Sequence, residues 1–278
     1  MGSTGVADFG ACLVVMGLVN PKGVTVNPGA AAFVPAPGAS YHSRVAYLDH
    51  AASTPMRLEA IEAMAPFLAL HAANPSGGHQ GSQTAKNALE EARERVAALL
   101  GASPAEIVFT GGGSEGDNLA VKGAAWAAFD RGSDTDGVVT TGIEHKAVLG
   151  AVDRLRRQGA RVSVVPATRA GTVDLERLAS ALDDRTAVVS VMLVNNETGI
   201  VQPLREVAAL VRDRAPRAVL HTDAVQAPQW LDLGSACADA DLVAISGHKF
   251  GGPKGVGALV RRRGVELVPL VEGGGHEW

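Results

Sequence analysis

Residues 242–255 read Leu242-Val243-Ala244-Ile245-Ser246-Gly247-His248-Lys249-Phe250-Gly251-Gly252-Pro253-Lys254-Gly255. An apolar run typical of a buried strand opens here into a glycine-rich turn, which leaves little bulk around the amine of Lys249. Such a lysine can form a Schiff base, while Ser246 and His248 offer polar groups suited to a phosphate. The combination points to pyridoxal phosphate. A surface lysine in a tight turn also explains this stretch taken alone, so other segments must decide.

The composition indicates a globular protein whose partners are small molecules. The 278 residues are 46% hydrophobic and 19% charged, which is enough for one large core or for a core with a smaller lobe. The formal net charge is -4, and no run of basic residues extends beyond Arg261–Arg263. We therefore expect no nucleic-acid partner.

The two cysteines, Cys12 and Cys237, form neither a disulfide framework nor a metal-ligand spacing. We therefore expect no metal site and a reducing, cytoplasmic location. The apolar residues 11–19 are too few to span a membrane, and Asp8 precedes them without any earlier Lys or Arg. We expect neither a signal peptide nor a membrane partner.

The composition and the hydrophobic periodicity of the sequence change near Tyr47. Residues 1–45 are rich in Gly, Ala, Pro and Val without any period, which predicts a poorly ordered extension. Beyond them, apolar spacing predicts helices at 84–100, 146–158, 175–182 and 203–214, a helical run from Leu119, and strands at 107–110, 138–141, 162–165, 187–194, 218–222, 242–245 and 257–260. Apolar strands alternating with helices predict a three-layer α/β/α fold with a mostly parallel seven-stranded sheet. Ligands bind beyond the carboxyl ends of the strands in such sheets.

The first strand end carries a glycine-rich turn into a helix, Gly111-Gly112-Gly113-Ser114-Glu115-Gly116-Asp117-Asn118. Free N–H groups and the helix dipole favour an anion here, and the Ser114 hydroxyl adds a donor. A capping box, with Ser114 as N-cap and Asp117 at N3, is the structural alternative, and both can hold at once. The turn lacks the Gly-Lys-Ser/Thr ending of a Walker loop.

The second strand end leads into Gly142-Ile143-Glu144-His145-Lys146. The imidazole of His145 can lie over a cofactor ring or move protons there, or it can simply cap the helix that follows. We expect Glu144 and Lys146 to be solvated.

Two later strand ends carry amides and a carboxylate. Asn195 or Asn196 can bind a substrate carboxylate or a ring hydroxyl, although an Asx turn explains either. Asp223 can pair with a protonated pyridine nitrogen, and Gln226 can bond the ring hydroxyl. A turn cap is again the alternative for Asp223. Taken together, a phosphate cradle, a histidine, an asparagine, an aspartate and a lysine at successive strand ends favour a pyridoxal phosphate site.

The motifs resemble the cysteine desulfurase family, in the class V aminotransferase group with the fold-type I pyridoxal phosphate scaffold. The matching segments cover about 230 residues and include Tyr47-Leu48-Asp49-His50-Ala51-Ala52-Ser53-Thr54-Pro55, Asn74-Pro75-Ser76 with His79, Gly112-Gly113-Ser114-Glu115, Glu144-His145-Lys146-Ala147-Val148-Leu149, Asn195-Asn196-Glu197, Asp223-Ala224-Val225-Gln226, Ser246-Gly247-His248-Lys249 and Gly273-Gly274-Gly275.

The resemblance implies that Lys249 and His145 are the catalytic residues. Lys249 would carry the internal aldimine, and His145 would stack on the pyridine ring and assist proton transfer. The other ligands that it implies are Gly113, Ser114, Ser246 and His248 for the phosphate, Asp223 for the ring nitrogen, and Gln226 and Asn196 for the ring hydroxyl, with Asn196 also near the substrate carboxylate.

The family converts L-cysteine to L-alanine and passes the sulfur, through a catalytic cysteine, to an acceptor or scaffold protein for iron–sulfur cluster or thio-cofactor assembly. Its members form homodimers. The sequence ends at Trp278, before the family's small domain and cysteine loop, and neither Cys12 nor Cys237 stands at a matching position. We therefore expect residues 46–278 to form the cofactor-binding large domain of a truncated, impaired desulfurase.

Two further expectations concern the start of the chain and the reaction. Val45-Ala46-Tyr47-Leu48-Asp49 stands where the family has Met-x-Tyr-Leu-Asp, so we hypothesise that translation starts at Val45 and that residues 1–44 are not translated. The alternatives to a desulfurase are a selenocysteine lyase, an aminotransferase, or a non-catalytic remnant of the fold.

Overall fold

The computed structural model describes residues 46–132 and 134–273. The predicted extension at residues 1–45, with the proposed start at Val45, lies outside these ranges, as do residues 274 and 275 of the last matching motif. The described part contains eight helices and seven strands.

The strands and most of the helices follow in the predicted order, and α1 and α8 are two helices that the sequence analysis missed. The helices are α1 Leu58–Ala69, α2 Gln80–Leu99, α3 Gly113–Asn118, α4 Ala124–Asp130, α5 Lys146–Arg157, α6 Leu175–Ala181, α7 Leu204–Arg214 and α8 Leu233–Ala236, and the strands are β1 Ile107–Thr110, β2 Gly137–Thr141, β3 Arg161–Val165, β4 Thr186–Ser190, β5 Val219–Asp223, β6 Leu242–Ser246 and β7 Gly257–Arg261. A π-helical turn, Leu119–Gly123, joins α3 to α4, and a 3-10 turn, Gly247–Lys249, follows β6.

Two boundaries differ from the sequence prediction by more than one residue, and the reason for each can be identified. Helix α2 begins at Gln80, four residues before the predicted start, because the His79 ring accepts a hydrogen bond from the Ser82 amide and caps a polar first turn. Strand β4 ends at Ser190, but the chain beyond it still pairs with β5 through backbone bonds of Val191 and Leu193. The predicted strand at 187–194 thus covers β4 and this continuation.

The seven strands form one sheet in the order β1-β7-β6-β5-β4-β2-β3. Strands β2 to β6 pair in parallel, and β7 runs antiparallel to both β1 and β6. In this register Gly257 at the start of β7 lies opposite both Thr110 and Ser246. The carboxyl ends of β1 and β6 therefore meet at the same edge of the sheet.

Two apolar cores lie on opposite faces of the sheet because successive strand residues point to opposite sides. Val139, Val189 and Ile245 belong to one core, which α2, α6, α7 and α8 cover. Val138, Val188 and Ala244 belong to the other, which α4 and α5 cover. The three-layer α/β/α fold with a mostly parallel seven-stranded sheet is confirmed.

Within residues 46–132 and 134–273, the helices are all too short or too polar to cross a membrane.

Candidate functional site

The carboxyl edge of the sheet borders a cleft of about 730 Å³. It is where a wound α/β sheet binds its ligands, because the loops that leave the strands diverge there. The cleft is lined by all nine residues that the sequence singled out, namely Gly113, Ser114, His145, Asn196, Asp223, Gln226, Ser246, His248 and Lys249. The functional roles of these residues stay predictions.

One end of the cleft is a narrow cradle between the start of α3 and the end of β6. Gly112 precedes α3 with φ 143°, a conformation that glycine adopts without strain. A Cβ atom at Gly257 would lie 2.7 Å from the Gly112 backbone, and one at Gly113 would lie 2.6 Å from Val225 Cγ2. Glycine is therefore required for the close approach of three backbone segments.

The cradle presents donors without partners. The hydroxyl of Ser246 is buried and has no hydrogen-bond partner among the described residues. A buried hydroxyl in that state costs free energy unless a ligand satisfies it. Next to it, the backbone N–H groups at the start of α3 point outward from a helix that continues to Asp130. A phosphate fits this set of donors.

The capping box considered for this turn is wrong. The N-cap is Gly112, so Ser114 lies within the first turn of α3 instead of preceding it. The carboxylate of Glu115 caps the turn from inside, because its Oε2 accepts a 2.8 Å hydrogen bond from the Gly111 amide. The hydroxyl of Ser114 therefore remains available to the cleft that it lines.

Asp223 ends β5 in the floor of the cleft and is almost fully buried. Burial, together with the nearby carboxyl of Asp117, raises the pKa of this carboxyl to about 7. Its Oδ1 accepts a 2.9 Å hydrogen bond from the Val225 amide, so the predicted turn cap is present as well. A cation beside Asp223 would favour its ionised form, which matches the expected partner of a pyridine N–H.

His145 begins α5 at the mouth of the cleft, where its ring is exposed. Its Nδ1 accepts a 3.2 Å hydrogen bond from the Ala147 amide, so the capping interpretation holds. In the neutral ring the proton is then on Nε2. His145 brings a ring nitrogen to within 4.8 Å of carboxylate oxygens of Asp117 and Asp223. The ring can cap its helix and still serve a ligand above Asp223.

Lys249 lies in the 3-10 turn after β6 and is half-buried. Its Nζ donates a 2.6 Å hydrogen bond to the Ala51 carbonyl, and Gln226 Nε2 donates to the same oxygen at 2.9 Å. Burial lowers the pKa of the Lys249 amine, although the charges of Asp223 and Asp49 oppose the shift. The lysine therefore reaches its neutral, nucleophilic form more easily than a solvated lysine does.

The loop at residues 49–54 closes one side of the cleft. Thr54 donates from its amide and its hydroxyl to the His248 carbonyl, at 2.8 and 2.9 Å. The hydroxyl of Ser53 lies 3.3 Å from His248 Nδ1. Sequence reasoning gave this loop no role, because about 195 positions separate its residues from His248.

The two asparagines after β4 have different surroundings. Asn195 is buried and structural, since its amide donates to the Ile143 carbonyl at 3.0 Å and its oxygen accepts from the Glu197 and Thr198 amides. The side chain of Asn196 makes no hydrogen bond within the described part of the chain, and it lines the cleft. The structure thus separates two residues between which spacing alone could not choose.

Glu144 is buried, and the expectation that it is solvated is wrong. Its Oε1 accepts hydrogen bonds of 2.7 Å from the Thr141 hydroxyl and 2.8 Å from the Met192 amide. Burial raises the pKa of this carboxyl to about 8. Glu144 ties the loop before α5 to the chain beyond β4. Lys146 is exposed, as expected.

Sequence reasoning also missed Asp117, which is almost fully buried and lines the cleft. Burial raises its pKa to about 8. The only signal for it was its place in the glycine-rich turn, where the capping-box interpretation accounted for it.

Cys237 does not line the cleft. It is fully buried in the core under α8, and burial raises the pKa of its thiol to about 12. A thiol in that state is a poor nucleophile, because the thiolate is the reactive form. Cys12 lies outside the described residues.

Known proteins share both the sequence and the shape. The family model for aminotransferase class V matches residues 46–277. The cysteine desulfurase IscS of Methanosarcina thermophila is 40% identical over 238 residues, which cover 86% of this chain and 58% of that protein. The IscS-like cysteine desulfurase of Mycobacterium tuberculosis is 45% identical over 236 residues, 84% of this chain and 59% of its own length.

Solved structures agree with these relatives. A NifS-like protein superposes with a TM-score of 0.79 at 37% identity, over 83% of this chain and 62% of that one. SspA, solved in complex with cysteine, superposes with a TM-score of 0.78 at 39% identity, over 84% of this chain and 66% of that one. The chain thus spans less than two thirds of the length of these relatives.

Proposed function

Because this chain belongs to the aminotransferase class V family, we propose that its cleft binds pyridoxal phosphate and serves the desulfuration of L-cysteine to L-alanine. The two curated relatives described above are named cysteine desulfurases. The structure of SspA is a complex with cysteine, which supports the same substrate here. The sulfur would pass to an acceptor or scaffold protein.

One observation carries the proposal: an unpaired buried hydroxyl, a buried carboxyl and a half-buried lysine line the same cleft. Ser246 suits a phosphate oxygen, Asp223 suits a protonated ring nitrogen, and Lys249 suits an aldehyde carbon. Pyridoxal phosphate carries these three groups on one ring. An isolated anion site would need the first, but would explain neither of the others.

The residues of the cleft would divide the chemistry between them. When bound, pyridoxal phosphate supplies an electron sink for negative charge at the α-carbon of the substrate. An ionised Asp223 would accept a hydrogen bond from the ring N–H and keep that nitrogen protonated. Lys249, as a neutral amine, would hold the aldehyde carbon, and His145 would move a proton from its Nε2. Asn196 has a free amide to orient the substrate carboxylate.

The thiol that would accept sulfur in this reaction is not Cys237. Cys237 is buried outside the cleft, and its raised pKa disfavours the thiolate that would have to attack a substrate there. We therefore expect the 278-residue chain to bind the cofactor but to release alanine from L-cysteine only slowly.

The proposal extends to the oligomeric state and the location of the protein. Residues 46–278 would act as the cofactor-binding large domain of a cytoplasmic homodimer. The formal net charge of -4 gives the chain no attraction for nucleic acid.

Titration of the purified chain with pyridoxal phosphate tests the proposal directly. We expect a visible absorption band in the wild type and its complete loss in Lys249→Ala, because the lysine amine holds the aldehyde. Lys146→Ala is the matched control: this lysine is exposed and outside the cleft, so the band should persist. A folded wild type without the band, or a band that survives in Lys249→Ala, would contradict the proposal.

The same preparations test the expectation about the thiol. With L-cysteine as substrate, alanine and sulfide release are measured with and without a thiol reductant. Rapid turnover by the wild-type chain would show that one of its two cysteines transfers sulfur, and Cys12→Ser and Cys237→Ser would identify which.

A further inference from the structure

A buried polar chain lies behind the floor of the cleft. His221, in the middle of β5, has its Nδ1 2.9 Å from the Ser190 hydroxyl of β4 and its Nε2 3.5 Å from Asp117 Oδ1 of α3. The side chains of His221 and Asp117 are 0% and 2% exposed, and neither His221 Nε2 nor Asp117 Oδ1 has a hydrogen bond within the described residues. The two atoms are therefore close enough to share a proton, and neither is engaged elsewhere in the described part of the chain.

The other side of Asp117 faces the cleft. Carboxylate oxygens of Asp117 and Asp223 lie within 4.8 Å of each other, in a region that also holds the buried carboxyl of Glu144. Two carboxylates this close in a poorly solvated site do not ionise together at low cost, so one of them retains its proton. The surroundings decide which one.

Asp223 has the partners that a negative charge needs. Its Oδ1 accepts a hydrogen bond from the Val225 amide, and the exposed ring of His145 and the amine of Lys249 face it from two other elements. Asp117 shares the ring of His145 with Asp223, but no backbone amide donates to it among the described residues, and its Oδ1 lies beside the acceptor-capable Nε2 of His221. A protonated Asp117 can donate to that nitrogen, whereas an ionised Asp117 would have neither an amide donor nor the lysine amine that Asp223 has.

We propose that Asp117 is a positioning residue that retains the shared proton and donates it toward His221 Nε2, and so leaves Asp223 as the ionised carboxylate that faces the cleft. His221 is then neutral with its proton on Nδ1, from which it donates to the Ser190 hydroxyl. This inference rests on the proposed function, because it assigns the charge that a pyridine N–H would meet.

The electrostatics of the pocket agree with this order of protons. Burial raises the pKa of both carboxyls, that of Asp117 to about 8 and that of Asp223 to about 7, and the Val225 amide opposes the shift at Asp223 alone. Burial lowers the pKa of His221 to about 4, which keeps its ring neutral and able to accept. Glu144, with its pKa raised to about 8 by burial, adds no second negative charge near neutral pH.

The proton positions can be read without the cofactor. In the cofactor-free chain with labelled histidines, long-range proton–nitrogen spectra distinguish the two neutral tautomers from the imidazolium, and the signal missing in His221→Gln identifies His221. We expect a neutral ring protonated on Nδ1 at pH 7. A proton on Nε2, or on both nitrogens, would mean that Asp117 is ionised and would overturn the proposal. This result stands even if the chain fails to bind pyridoxal phosphate.

Two substitutions test whether the proton matters to the cleft. Asp117→Asn keeps the shape, stays neutral and can donate an amide N–H to His221, so the dissociation constant for pyridoxal phosphate should stay within about threefold of wild type. Asp117→Ala leaves His221 Nε2 and Asp223 without the group that orients them, and the constant should rise by about tenfold or more.

Thermal unfolding is measured on both variants, so that a loss of affinity can be distinguished from a loss of folding. If Asp117→Asn is as weak as Asp117→Ala, the charge of Asp117 was required and the proposal fails. If Asp117→Ala binds like the wild type, Asp117 has no positioning role. Should Asp117→Ala not fold, the affinity of the asparagine variant and the tautomer of His221 still distinguish a protonated Asp117 from an ionised one.

Discussion

The two edges of the β-sheet differ in whether their carboxylates are paired with basic side chains. At the amino edge, carboxylates and guanidinium groups are paired: Arg161 lies 2.7 Å from Asp183 and 3.6 Å from Asp136, and Arg185 lies 2.6 Å from Asp136. At the carboxyl edge, Asp117 and Glu144 are buried without a lysine or arginine partner among the described residues.

The pKa values express the same contrast. For Asp183, burial acts to raise the pKa, but hydrogen bonds from Arg161 and Thr186 outweigh it and the pKa is lowered. For Asp117, Glu144 and Asp223, burial wins and the pKa rises to between about 7 and about 8. The amino edge stabilises the ionised form of its acids, whereas burial at the carboxyl edge favours the protonated form.

This difference separates stability from function. An unsatisfied buried polar group costs about 1–3 kcal/mol, and the Ser246 hydroxyl, which lines the cleft, is in that state among the described residues. The cost is offset only when a ligand brings the missing partner. At the amino edge, ion pairs already give Asp136 and Asp183 a cationic partner.

The largest effect should come from removing the charge at the carboxyl edge. Asp223→Asn keeps the shape but replaces a charge-assisted hydrogen bond, worth about 1.5–3 kcal/mol, by a neutral one. We expect the dissociation constant for pyridoxal phosphate, measured by absorbance titration, to rise about tenfold to a hundredfold. The unfolding free energy of the cofactor-free chain should not fall, since a buried acid is replaced by a neutral amide. An unchanged affinity would show that Asp223 does not bind the cofactor.

A medium effect should appear in the pH dependence of stability. The pKa values of Asp117, Glu144 and Asp223 are raised above their ordinary values near 4, so the folded chain holds protons that the unfolded chain has lost. Their stabilising contribution is complete below about pH 4 and is lost as pH rises toward about pH 8. His221, whose pKa is lowered to about 4, acts in the opposite direction below about pH 6.5.

Glu144→Gln isolates one of these protons. The free energy of unfolding of the cofactor-free chain is measured with denaturant from pH 5 to pH 7. It should fall less steeply in the variant than in the wild type, by about 1.4 kcal/mol per pH unit. Glu62→Gln, which changes an exposed acid on α1, is the matched control and should leave the slope of the wild type unchanged. Equal slopes in Glu144→Gln and the wild type would mean that Glu144 is ionised in the folded chain.

The smallest effect should come from the same chemical change at the amino edge. Asp183→Asn keeps an oxygen for the Arg185 amide and the Thr186 hydroxyl but removes the charge that faces Arg161. Because both side chains of the ion pair are about 40% exposed, the loss of unfolding free energy should be below about 1 kcal/mol. The affinity for pyridoxal phosphate should not change. A weaker affinity would mean that the two edges are coupled.

Much of the fold and the site could be predicted because the signals are local. Apolar runs and helical spacing predicted all seven strands, since each depends on residues within one element. The strand-end position of His145, Asp223 and Lys249 followed from those runs. The parallel winding of the sheet then implied one common edge, and these side chains do line one cleft there.

The remaining features depended on segments far apart in the chain. Glu144 was expected in solvent, but the chain beyond β4 covers it and supplies the Met192 amide 48 positions away. Likewise, the carbonyl of Ala51, which accepts from Lys249, comes from 198 positions earlier. No local pattern encodes such contacts.

The sequence by itself therefore determined which elements form and which side chains stand at their ends, because propensity and periodicity act over a few residues. Only the tertiary structure decided which of those side chains are free. Packing buried Asn195 and left Asn196 facing the cleft, and it enclosed Asp117 beside His221. Burial and distance set the charge of each acid, and both arise only when the strands and their loops come together.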